Sequence, residues 1–172
     1  MFGSRPESEL TMMPEIAASA PENLKGLVLC CSFARSPQPL LACLRPLTHV
    51  LKSGALPMWA LSLLLLGRFS TAPLRAALST TVRMVSTATM MSRLRSVIDV
   101  DVGTELSTID VPCMYLRATE DRLVPEAAAR HIQKLRPGLQ VIDVEAPHGL
   151  LQTVPEAAAK LVMDFARSAT RA

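Results

Sequence analysis

Residues 111–155 read VPCMYLRATE DRLVPEAAAR HIQKLRPGLQ VIDVEAPHGL LQTVP. The run Val111-Pro112-Cys113-Met114-Tyr115-Leu116-Arg117-Ala118 is apolar and strand-length, with its proline near the start, where a missing N–H is tolerated. Residues 139–145, LQVIDVE, form a second such run; it is half polar, which suits an edge strand. Between the two lies PEAAARHIQKL, which opens on Pro125-Glu126 and stops before Pro137-Gly138, the start and stop signals of a helix. Strand, helix and strand at this spacing predict a βαβ unit, its strands parallel and its crossover right-handed. The fold class is therefore α/β.

Both flanks extend this reading. Upstream, residues 25–33, KGLVLCCSF, are apolar on both alternating faces, as in a central parallel strand covered by helices on its two sides. Downstream, Ala158, Leu161, Val162 and Phe165 recur at helical spacing and make one apolar stripe to lay on the sheet. Thr153 and Glu156 before that stripe are placed to form a capping box. Residues 37–102 differ: rich in Leu, Ala, Met, Ser and Thr and cut by Pro39, Pro46, Pro57 and Pro73, they read as several helices. So long an excursion exceeds what a βα crossover needs, and it predicts a lid or cap.

Composition narrows the function. At 172 residues, 49% hydrophobic and 19% charged, the chain is a single-domain length with ample material for a core. The net charge of +3 is scattered rather than clustered, so no footprint for nucleic acid is present. Cys30, Cys31, Cys43 and Cys113 lack CxxC spacing, and His49, His131 and His148 lack thiol or acidic ligands at useful spacing; neither pattern predicts a metal site. The cysteines read as reduced cytoplasmic thiols, Cys113 as an inert buried one, and the N-terminal residues lack a signal-peptide apolar region. The most apolar stretch, residues 55–66 (ALPMWALSLLLL), is shorter than the roughly 20 residues of a membrane span and reads as a buried or cap helix.

Two residues stand where chemistry gathers in an open α/β sheet, just past the carboxyl ends of strands. Asp121 follows the strand at 111–118 and His148 follows the one at 139–145. A carboxylate that holds an imidazole in one tautomer is half of a nucleophile-activating triad. Taken singly, the Asp also suits a turn or cap and the His a surface loop; in this order after successive strands they suit catalysis.

With these residues in place, the sequence resembles the α/β-hydrolase superfamily, and within it the small capped carboxylesterases of the pimeloyl methyl ester esterase type. The matching stretches are residues 18–37 (ASAPENLKGLVLCCSFARSP), 115–125 (YLRATEDRLVP) and 146–155 (APHGLLQTVP). The resemblance implies the sixth to eighth strands of that fold, with residues 37–102 as the cap, residues 15–172 as a partial domain and residues 1–14 as a non-matching segment. It makes Asp121 the triad acid and His148 the general base. It implies a serine ester hydrolase acting on a small apolar ester without cofactor or metal.

That family carries its serine in a Gly-x-Ser-x-Gly-like elbow, which this sequence does not contain. Counting back from Pro21 without a gap puts Glu7 at the nucleophile position, and a one-residue deletion brings Ser8 there. Pro6, Leu10 and Pro14 suit the sharp turn and the following helix poorly. The nucleophile is thus Ser8 or a residue outside this chain, and the alternative is a catalytically inactive remnant. By the same resemblance the earlier strands of the sheet lie outside this sequence, which predicts an open edge at residues 26–33 and self-association through it.

Overall fold

The computed structural model describes residues 24–37 and 57–170. Three strands, β1 (Leu27–Cys30), β2 (Cys113–Ala118) and β3 (Gln140–Val144), form a parallel sheet in the order β1-β2-β3. Tyr115 of β2 faces Leu29 on one side and Val141 on the other. The helices are α1 (Met58–Leu65), α2 (Ala72–Met84), α3 (Thr87–Asp99) and α4 (Gly103–Ser107) between β1 and β2, α5 (Glu126–Leu135) between β2 and β3, and α6 (Leu150–Thr153) and α7 (Pro155–Ala169) after β3.

The predicted βαβ unit is present, with β3 at an edge of the described sheet. Among the described residues β1 pairs on one side only, with β2, so the centre is β2 rather than the first strand. The two-sided apolarity of β1 comes from helices over both faces. Leu27 and Leu29 join Cys113, Tyr115, Ala129 of α5 and Ile132 of α5 in one core. Val28 and Cys30 pack against the other, where Met114, Leu116 and Ala118 meet Leu150 of α6 and Ala158 of α7. Alternate residues of β2 thus serve opposite cores, as the two-residue strand period requires.

Local chemistry explains the helices. Pro125, extended at φ −69°, precedes α5, with Glu126 in its first turn and Lys134 in its last, both favourable to the helix dipole. The stripe of α7 is as expected, with Leu161, Val162 and Phe165 packed on the second core. The capping box is not. The Thr153 hydroxyl instead donates to the carbonyls of Gly149 (2.9 Å) and Leu150, closing α6, and no side chain caps α7. Pro155 starts α7 without an N–H that would need a partner.

The excursion between β1 and β2 is helical over its described part, and it leaves and rejoins the sheet at one place. Arg35 and Asp101 form an antiparallel bridge there, beside a Val102 N–H bond to the Ala34 carbonyl of 2.8 Å. The apolar stretch at 55–66 yields the short helix α1, which is partly buried: Ser62 is buried and Trp59 is 71% exposed. No helix of the described residues is long and apolar enough to cross a membrane.

Leu116 is 0% exposed at the middle of the central strand. Leu116→Ala should cost about 2–5 kcal/mol, read as a lower denaturation midpoint; a loss well under 1 kcal/mol would mean that the β2 core does not hold the sheet together.

Candidate active site

The ladder between β2 and β3 continues past the strand ends. The Thr119 N–H donates to the Val144 carbonyl (2.9 Å) and the Glu120 N–H to the Ala146 carbonyl (3.0 Å), so the two following loops leave the sheet side by side. Asp121 and His148 come next on those loops. His148 Nδ1 lies 2.9 Å from Asp121 Oδ2, and the Asp121 side chain is 2% exposed against 24% for His148.

Asp121 is held from behind. Its Oδ1 accepts the backbone N–H groups of Leu123 (2.8 Å) and Val124 (2.9 Å), an Asx-type turn that leaves Oδ2 for the imidazole. Burial pushes this carboxyl up. The hydrogen bond to His148 and the two backbone N–H groups outweigh it and hold Asp121 below the ordinary carboxylate value. The turn role weighed from sequence is thus filled by Oδ1, while Oδ2 faces the His148 imidazole.

The helical excursion braces the His148 loop. The Gly149 N–H donates to the Leu65 carbonyl at the end of α1 (2.8 Å). A Cβ on Gly149 would lie 2.9 Å from that same oxygen, so only glycine lets the two backbones approach this closely. Arg68, in a short 3₁₀ turn at Gly67–Phe69, donates to Glu120 through Nε (2.8 Å) and also pairs with Glu145, one residue from each loop.

A third side chain joins the pair. Cys31 Sγ, a carboxylate oxygen of Asp121 and a ring nitrogen of His148 all lie within 4.8 Å of one another. Residue spacing offered no thiol or acidic ligand for His148; the fold supplies both, because three strand ends far apart in sequence converge. The signal available in the sequence was the position of Cys30-Cys31, at the end of an apolar strand like the positions that precede Asp121 and His148. Interaction with the adjacent Cys30 thiol, together with burial, pushes the Cys31 thiol well above the ordinary range. The same interaction holds Cys30 below it, against burial. Cys113 is buried at the far end of β2, and His131 sits half-buried on α5, away from this cluster. Ser8 lies outside the described residues.

An alpha/beta hydrolase enzyme from a Medee basin deep-sea metagenome library superposes with a TM-score of 0.68 at 19% identity, over 91% of this chain and 61% of that one. This is the C-terminal part of the α/β-hydrolase fold. An enol-lactonase from Burkholderia xenovorans (TM-score 0.64, 19% identity, 92% of this chain and 62% of that) shares the fold. So does a lipase-esterase related protein from Clostridium acetobutylicum (TM-score 0.70, 18% identity, 91% and 62%). The chain thus spans about three-fifths of the length of these α/β-hydrolase structures. No family model matches the sequence.

Two outcomes are expected at this site. Gly149→Ala should destabilise the fold by about 1–3 kcal/mol, since the new methyl meets a backbone oxygen that cannot swing away; a neutral effect on thermal unfolding would contradict the close packing of α1 on this loop. The second concerns acid. A carboxyl with its pKa lowered by folding contributes stability above its unfolded value and loses it as pH falls through the folded one. The stability difference between the wild-type chain and Asp121→Asn should therefore be level near neutrality and shrink below about pH 4, as followed by urea unfolding across pH.

Proposed function

We propose that the chain carries the acid–base half of a serine-type ester hydrolase site. The observation that carries this reading is the 2.9 Å contact of His148 Nδ1 with a buried Asp121 on adjacent strand-end loops of an α/β-hydrolase fold. With Nδ1–H donated to Asp121, the Nε2 lone pair of His148 is free to take a proton from a serine hydroxyl attacking an ester carbonyl. The imidazolium formed is stabilised by Asp121 and returns its proton to the departing alkoxide. Water then repeats the cycle on the acyl-enzyme, and the chemistry calls for no metal or organic cofactor.

Ser8 is the nucleophile this sequence offers; the other source is a residue outside the chain. The helices between β1 and β2 serve as a cap. A hollow of about 450 Å³ on them, lined chiefly by apolar groups of Met58, Trp59 and Leu63, favours an apolar acyl or alcohol group. Gly67, also on its wall, backs onto Pro147 beside His148. Among the fold's other members above are an enol-lactonase and a lipase-esterase related protein, whose names are those of ester-cleaving chemistry.

A fluorophosphonate probe tests this directly. It should label the folded chain at Ser8, and Ser8→Ala should remove the label. His148→Ala should slow labelling and ester turnover by about 100- to 10,000-fold. Labelling that survives His148→Ala at the same rate would overturn the role given to the pair, and a folded chain that never labels would favour the inactive remnant.

A further inference from the structure

The two adjacent thiols have no part in the hydrolytic reading. In a regular strand Cys30 and Cys31 would point to opposite faces. Cys31 has φ +46°, a left-handed conformation uncommon for a side-chain-bearing residue, and the alternation breaks there. Cys31 is buried within the Leu116–Leu150 core, the same core that Cys30 packs against. The strain is held by bonds on every side. The Cys31 N–H reaches the Leu116 carbonyl (3.0 Å), and the Ser32 hydroxyl donates to the Cys30 carbonyl (2.9 Å). The buried Tyr115 hydroxyl donates to the Ser32 carbonyl (2.6 Å). Backbone strain maintained in this way clusters at active sites and ligand clamps.

What the strain achieves is to turn the Cys31 sulfur toward the Asp121–His148 pair, within 4.8 Å of both. We propose that Cys31, Asp121 and His148 form a binding site for a thiophilic divalent cation of the zinc class. Sulfur, nitrogen and carboxylate oxygen are the donors such an ion takes, and three protein ligands with a fourth position open to water is a common arrangement. Bond lengths of about 2.0–2.3 Å bring tetrahedral donors to roughly 3.3–3.7 Å apart, so Cys31 closes in by at most about 1.5 Å and the Asp121–His148 contact opens slightly. Asp121 is already anchored by two backbone N–H bonds, the support a ligating carboxylate requires. On binding, the Cys31 thiol loses its proton to solvent and, with Nδ1 of His148 as the ligand, the ring proton moves to Nε2, so that thiolate and carboxylate together balance the double positive charge. The 24% exposure of His148 leaves the ion a way in. An ion held here occupies the groups the acid–base cycle uses, so it blocks that cycle, but its binding does not depend on the chain being a hydrolase.

Titration of the reduced, full-length chain with Co²⁺ tests the site without any substrate. One ion per chain is expected, with a sulfur-to-cobalt charge-transfer band that Zn²⁺ abolishes by displacement. Cys31→Ser should remove the band while Cys30→Ser keeps it. Because Cys31 is buried, His148→Gln serves as the second variant and should weaken Zn²⁺ binding by about tenfold or more, measured against a chromophoric chelator with the fold checked by circular dichroism. A folded wild-type chain without the band, a band that survives Cys31→Ser, or unchanged Zn²⁺ affinity in His148→Gln would each overturn the proposal. Failure of fluorophosphonate labelling would leave this result untouched, so the two readings fall separately.

Discussion

The candidate site depends on one constraint, the parallel hydrogen-bond ladder that carries on beyond the ends of β2 and β3. Parallel strands send their carboxyl ends the same way. Two further backbone bonds, from Thr119 to Val144 and from Glu120 to Ala146, then keep the outgoing loops in register for long enough to set Asp121 against His148. A slip of one residue in that pairing would turn each side chain of β3 to the other face and part the two groups. The register in turn rests on burial, since a slipped β3 would turn Ile142 and Val144 away from the core they share with Leu150 and Ala158.

Charged pairs around the site play a smaller part. Arg117 with Asp143 on the neighbouring strand and Arg68 with Glu120 and Glu145 have at least one well-exposed partner each, and solvent-screened pairs of this kind contribute little. The short approach of Gly149 to Leu65 is a stronger brace, because it joins backbone to backbone and leaves no room for a side chain. It ties the loop bearing His148 to the helices that precede β2. The proposed acid–base role would need such support on both partners, since a small misplacement costs catalysis heavily. Asp121 has its support within its own loop, His148 from a distant helix.

The turn after β1 works in the opposite sense. Tyr115 spends a buried hydroxyl on holding Ser32, and Cys31 adopts a left-handed conformation uncommon for a residue with a side chain. The Cys31 thiol beside a carboxylate and an imidazole makes the soft, charge-balanced set of donors proposed for a divalent cation. Ester hydrolysis and metal binding would compete for the same imidazole.

Much of this was legible in the residues. The period-two apolar runs, the Pro-Glu start and Pro-Gly stop of α5 and the stripe on α7 are local signals, set by backbone sterics and by the spacing of apolar side chains, so β2, α5, β3 and α7 could be read directly. Asp121 and His148 were legible because a strand end is a local feature too. The tertiary structure decided what depends on groups brought from far apart. It made β2 the centre of the described sheet, gave Thr153 to the end of α6 instead of the start of α7, and laid α1 on the surface with Trp59 exposed. It also carried Cys31 to a His more than a hundred positions away. Spacing along a chain cannot express that proximity, because convergence of three strand ends is a property of the sheet and not of any one segment.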